Sequence, residues 1–388
     1  MAERGGDMDA PGSEAGRAVC TAPAQNAAQR PCKRPGRSLA LGSALLACLL
    51  ATVVLACGVG SYPSTAGQTL LALLQALGLR AGDAVDPSLA VVIVDIRLAR
   101  VLLAGLTGAS LAVAGAAFQG VLRNPLADSF TLGVSGGAAF GASLAILSGI
   151  AGEAALAGEA RVLPACALAG ALTALGLVLA LARAGGGPLS GLRRETVVLA
   201  GIVVSTFLAA LISLLKSLDE ESVASIVFWI MGSFQGRGFE HAALAWPYML
   251  LGAGLVFWRA RELDVLALGE TQARLLGLDA GRSRLWLLFG ASLLSGAAVA
   301  ISGVIGFVGL VVPHLIRLLL GAGHARLLPA SALLGALLLI WSDVAARSVL
   351  PGGAELPVGV VTALIGGPFF CLLLARKSLG GKGREGGA

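Results

Sequence analysis

Long apolar runs, nearly free of charge and separated by short polar breaks, recur along this chain. They fall at about residues 38–60, 101–122, 129–152, 162–182, 196–215, 242–258, 285–303, 304–320, 327–346 and 356–375. Most approach the roughly 20 residues that a helix needs to cross about 30 Å of hydrocarbon. None alternates as a barrel strand would, and a lipid-exposed segment without internal hydrogen bonds is too costly, so helices are required. The pattern therefore predicts ten transmembrane helices. The apolar stretch 285–320 is too long for one crossing and must fold back, with Ser302-Gly303 as the turn. Thr65–Leu79 has helical spacing but is too short to cross, which predicts a helix lying along the surface. The polar loop Glu262–Arg284 contains Leu-Ala-Leu-Gly-Glu-Thr-Gln-Ala-Arg-Leu-Leu-Gly-Leu-Asp (266–279). It predicts two short helices broken at Gly277, amphipathic enough to dock on another protein; a solvated loop is the plainer reading.

Composition sharpens this picture. Of 388 residues, 56% are apolar and 13% charged, against about 45–50% and about 25% in soluble domains. One water-surrounded core of this size could not bury such a surplus, which excludes a single globular enzyme. The 55 glycines suit helices that approach closely where packing, and not water exclusion, drives association. Residues 1–37 are polar and aperiodic and read as a disordered tail, 38–376 as the ten-helix domain, and 377–388 as a second tail. Six cysteines, most inside apolar runs, do not form a disulfide framework, and the scattered His241, His314 and His324 lack metal-ligand spacing.

Charge supplies orientation. With both termini cytoplasmic, the inner loops collect most of the arginines, among them Arg123, Arg183, Arg193, Arg194, Arg259, Arg261, Arg274, Arg282 and Arg284. The outer segments collect Asp83, Asp86, Asp95, Asp219, Glu220 and Glu221. This is the positive-inside pattern. It accounts for the net charge of +6 through anionic lipid, without nucleic acid. No nucleotide-binding Gly-x4-Gly-Lys-[Ser/Thr] loop is present, since Gly380-Gly-Lys-Gly is too short.

Several long motifs occur in one order. They are Arg97-Leu-Ala-Arg100, Gly108-Ala-Ser-Leu-Ala-Val-Ala-Gly115, Gln119-Gly-Val-Leu-Arg-Asn-Pro-Leu-Ala-Asp128, Leu132-Gly-Val-Ser-Gly-Gly137 and Trp229-Ile-Met-Gly-Ser233. Further along come Leu268–Gly277, Gly303–His314 and Glu355–Phe370. Together they resemble the FecCD family of ABC-importer permeases over about residues 40–376. The resemblance implies an all-α integral membrane protein with the type II importer fold, in the cytoplasmic membrane of a bacterium. It also implies a second copy of the chain or a close paralogue, two cytoplasmic ATPases that use ATP and Mg, and a periplasmic binding protein. The chain itself would bind no cofactor or metal and would be no enzyme. Its cargo would be a metal chelate, with ferric siderophore ahead of cobalamin and haem. An ion-coupled secondary transporter is the alternative.

The resemblance also carries residue roles. Arg97, Arg100 and Arg347 fall where the family receives carboxylates of the binding protein; from the residues alone the plainer reading is arginines snorkelling at helix ends. Arg97 and Arg100, three apart, would share one helix face, and Asp343 would pair with Arg347 one turn on. Asn124 and Leu126 fall on the cytoplasmic gate, with Gly191-Leu-Arg-Arg-Glu195 as a second gate element. Gly269, Glu270, Ala273, Leu276 and Gly277 fall on the ATPase-coupling motif. The pathway would run along the fifth and tenth spans near Gly201, Ser205, Gly359 and Thr362. The repeated Gly-Ala-Ser-Leu at 108–111 and 290–293 is compatible with inverted halves.

Overall fold

A computed structural model describes residues 35–60, 62–79, 85–156, 161–186 and 192–385. Almost all of the first tail lies outside these residues. Among those described there is no strand. The helices in order are α1 (Pro35–Gly58), α2 (Ala66–Ala76), α3 (Pro87–Val91), a π-helical stretch (Val92–Leu98), α4 (Ala99–Leu122), α5 (Val134–Leu147), α6 (Ile150–Leu156), α7 (Val162–Gly186) and α8 (Arg194–Leu218). There follow α9 (Glu220–Met231), α10 (Phe239–Trp258), α11 (Ala260–Leu268), α12 (Glu270–Leu275), α13 (Ala280–Ser302), α14 (Val308–Leu320), α15 (His324–Ser348) and α16 (Val358–Glu385).

The ten apolar runs coincide with α1, α4, α5, α7, α8, α10, α13, α14, α15 and α16. Six described helices are long and apolar enough to cross a membrane, from Leu39–Gly58 to His324–Ser348, while Val134–Leu147, Val308–Leu320 and Val358–Leu373 are apolar but shorter. The short members are flanked by irregular backbone. Such backbone is tolerated at membrane depth only against protein or a water-filled path, and here the segment before α5 is satisfied locally. The Asp128 carboxylate accepts from the amides of Phe130 (3.1 Å) and Thr131 (3.0 Å), and Gly133 enters α5 at φ 75°. The turn expected at Ser302-Gly303 is present: α13 ends at Ser302, and Gly303 reverses the chain at φ 72°.

Two helices form the centre. α4 and α13 are buried along nearly their whole lengths, and α4 packs on α13 and α15. The crossings depend on absent side chains. A Cβ on Gly108 would stand 2.2 Å from the Gly335 carbonyl oxygen, and one on Gly335 would stand 2.4 Å from that of Gly108. The second Gly-Ala-Ser-Leu repeat does the same work on α13, where Gly290 lies against Gly252 of α10.

One expected surface element is present, and two others depart from the sequence-based expectation. The surface helix exists as α2, started by a capping box in which Thr65 and Gln68 exchange hydrogen bonds. The stretch between the fifth and sixth spans, for which the apolar runs predict no helix, holds α9, capped by Asp219, whose carboxylate accepts from the Glu221 amide at 3.1 Å. At the C-terminus α16 runs on to Glu385, past the expected domain boundary at 376.

The Gly108–Gly335 crossing makes a testable demand. Gly108→Ala should destabilise the protein by about 1–3 kcal/mol through overpacking. Gly254→Ala on α10, where a Cβ meets nothing within 4 Å, should be neutral or stabilise by up to about 1 kcal/mol through helix propensity. Thermal unfolding of the detergent-solubilised variants checks both.

Candidate functional site

The end of the bundle bearing Asp343 is the predicted outer end, and the end bearing α11 and α12 the predicted inner end. At the outer end a buried charge cluster gathers four parts of the chain. Asp343, 1% exposed on α15, accepts from Arg100 Nε (3.1 and 3.0 Å) and Nη2 (2.8 Å). Glu355, just before α16, accepts from the same guanidinium at Nη1 (3.0 Å) and Nη2 (2.9 Å). One planar fork is thus held between two carboxylates, the geometry that favours arginine over lysine. Arg347 donates from Nη2 to the Ala56 carbonyl (2.7 Å) and brings Nε to 3.7 Å from Asp343. Arg97 donates to the Cys57 carbonyl and Ser64 hydroxyl (3.1 Å each) and the Tyr62 carbonyl (2.6 Å).

This geometry corrects two expectations. Asp343 is held chiefly by Arg100, 243 residues away in sequence, and only secondarily by Arg347 on its own helix. Arg97 and Arg100 do not share a face, because the π-helical stretch Val92–Leu98 changes the angular step between them. Arg97 turns to α1 and the segment after it, Arg100 to α15 and Glu355. All three arginines are buried and engaged within the chain.

At the inner end Pro125 breaks the chain after α4. Arg123 takes φ 49°, and the Asn124 side chain accepts from the Leu126 amide (3.0 Å), leaving Leu126 exposed. A hollow of about 390 Å³ is lined by Asn124 together with Arg194 and Glu195, whose side chains pair at 2.5 Å. The two gate elements read from sequence therefore meet, although Gly191 of the second lies outside the described residues.

The inner helices break at Gly269 (φ 121°), between α11 and α12, whereas Gly277 (φ 79°) separates α12 from α13. That moves the expected break. A Cβ is strained at both positions. Leu268, Leu275 and Leu276 are exposed, Leu275 to 83%, while Ala273 is fully buried. Glu270 accepts from Arg274 at 2.8 Å and lies 3.9 Å from Arg284. Asp264 on α11 holds the start of α15, accepting from the His324 backbone (2.9 Å) with its ring Nδ1 at 2.6 Å. Nothing in local sequence spacing announced this last pair.

The expected lining residues are contacts. A Cβ on Gly201 would lie 2.2 Å from the Thr131 carbonyl oxygen, and one on Gly359 would lie 2.3 Å from that of Met231. Thr362 is buried and donates to the Gly359 carbonyl, and Ser205 donates to the Phe130 carbonyl. The exposed strip of α8 is formed by Leu199, Ile202, Val203 and Phe207 instead.

A bundle of long apolar helices joined by irregular backbone, with a hollow edged by Asn124, Arg194 and Glu195 and exposed leucines on the short helices at the predicted inner end, has the architecture of a polytopic membrane protein. Residues 48–376 match the FecCD transport family, and the chain belongs to that family. It is 41% identical over 285 residues to the cobalamin import system permease protein BtuC of Halobacterium salinarum, covering 73% of each chain. It is 40% identical over 284 residues to the hemin transport system permease protein HmuU of Yersinia pestis, covering 73% of this chain and 83% of that one. Among solved structures it resembles a metal-chelate type ABC transporter in an inward-facing conformation, with TM-score 0.72 and 33% identity over 87% of this chain and 99% of that chain.

The outer cluster makes a second prediction. Asp343→Asn leaves a buried guanidinium short of charge and should cost about 3–5 kcal/mol, whereas Arg100→Met combined with Asp343→Leu should cost less than the sum of the single changes. Differential scanning fluorimetry on the four proteins of this cycle measures the coupling.

Proposed function

We propose that this chain is the permease subunit of an ATP-binding cassette importer that moves a metal chelate, a ferric siderophore first, across a bacterial cytoplasmic membrane. The observation that carries the reading is the inner segment. On a chain of this family, two short helices fixed to the bundle by Asp264 and His324 present Leu268, Leu275 and Leu276 to the side where an ATPase would bind. An apolar, rigidly mounted projection suits insertion in a partner's groove, and Gly269, Glu270, Leu276 and Gly277 shape it. Buried Ala273 acts by packing beneath it.

In this reading two copies, or one copy and a close paralogue, enclose the path, with both termini cytoplasmic as the basic inner loops require. Nucleotide binding closes two ATPase subunits, the inner segments move as rigid bodies, and the gate formed by Asn124 and Leu126, with the hollow between Asn124 and the Arg194–Glu195 pair, opens or shuts. A periplasmic binding protein delivers cargo at the outer face. There Arg97, Arg100 and Arg347 underlie its docking surface, and its carboxylates would compete with Glu355 for Arg100. ATP and Mg belong to the ATPases. The relatives include permeases named for cobalamin and hemin import, and the structural neighbour is of the metal-chelate type; these support a bulky chelate as cargo.

Reconstitution with the cognate ATPase and binding protein tests this. ATP-dependent uptake of ferric siderophores should exceed that of haem and cobalamin, and Glu270→Lys or Gly277→Asp should abolish ATPase capture and uptake together. Uptake by the chain alone that follows an ion gradient and ignores ATP would overturn the reading.

A further inference from the structure

A pocket of about 650 Å³ opens at the outer end, walled by the ends of α5, α6 and α7, by α9 and the loop after it, and by Ser302 and Glu355. Its volume lies within the roughly 300–1,000 Å³ of small-molecule sites. None of the docking, gate, coupling or pathway residues named above lines it.

Two donors in its wall lack partners. The Arg237 guanidinium makes no hydrogen bond or ion pair among the described residues, and burial without a counter-charge lowers its pKa. The Trp229 indole N–H is buried and likewise unpartnered. The nearby acids are largely committed elsewhere. Asp219 accepts from the Ser222 hydroxyl, which holds its carboxyl below the usual carboxylate range, and it also caps α9 through the Glu221 amide. Glu355 is held by Arg100. Glu221 stands exposed at the rim. Since arginine stays charged at any relevant pH, a largely buried guanidinium with no anion is costly unless one arrives. Phe228 and Trp229 add aromatic surface, and Ser225, Ser233 and Gln235 add neutral polar groups.

We propose that this pocket is an outer subsite for a carboxylate-bearing, oxygen-rich small molecule, with Arg237 holding the carboxylate. The proposal rests on the transport reading and deepens it by naming the functional group that the chain itself would recognise. A carboxylate side chain of the binding protein has the same chemistry, and the arms below separate the two.

The full chain in lipid nanodiscs is dialysed to equilibrium against radio-iron ferric citrate, with carboxylate-free ferrioxamine B as the comparison. Wild type should bind ferric citrate saturably, Arg237→Gln should weaken that binding about 10-fold or more, as loss of a charge-assisted bond predicts, and Arg237→Lys should keep most of it. Retention of ferrioxamine B should not change among the variants. Absence of saturable ferric citrate binding, or equal binding by Arg237→Gln, overturns the proposal. So does a variant that binds ferric citrate normally but loses capture of the cargo-free binding protein, since the carboxylate is then the partner's. Capture of the ATPase subunit, measured in parallel, reports folding. Its loss in wild type would mark failure of the transport reading itself.

Discussion

Hydrocarbon offers no hydrogen-bond partner, so each polar group placed at membrane depth must be satisfied by the chain. That constraint accounts for most of the architecture. It makes the spans helical, and it turns serines back onto their own helices, as Ser143, Ser295 and Ser342 do on the carbonyls of Ala139, Ala291 and Leu338. It also requires the loop before α5 to supply its own acceptors through Asp128. Where full charges are admitted, they arrive together. Arg100 enters with two carboxylates arranged around its fork, and the pieces it joins are remote in sequence because no single helix could supply them. Attraction between helices must then come from packing, which is why the central crossings use glycine against glycine.

Run length and charge bias were enough to place the ten spans, because burial in lipid leaves a one-dimensional signature: an apolar window of fixed length. The turn at Ser302-Gly303 was legible for the same reason, since an unbroken run of that length has nowhere else to reverse. Features that depend on angles were less visible. The π-helical stretch before α4 carries no composition mark, so the relative directions of Arg97 and Arg100 were misjudged. α9 was legible in principle, because Asp219-Glu220-Glu221 before an apolar run is an N-terminal signature, but its length fell below the window that defines a span.

Pairings across the fold were the least visible of all. Helix spacing offers Arg347 as the neighbour of Asp343, and the structure gives the carboxylate chiefly to Arg100, because a fork approaching from another helix can align two donors where a side chain one turn away cannot. Small residues carry a different signal: Gly201 and Gly359 each give another segment's backbone carbonyl room to approach. By contrast Asn124 and the Arg194–Glu195 pair, far apart in sequence, line one hollow.

α15 joins these two ends. It is one 25-residue helix, about 37 Å long at 1.5 Å per residue, clasped by Asp264 at its first residue and by Arg100 near its last turn. Its middle is fixed against α4 at Gly335, where the backbones touch. The inner segment and the outer charge cluster are thus grasped by one and the same helix, whose ladder of hydrogen bonds is interrupted by Pro329 close to the inner grip.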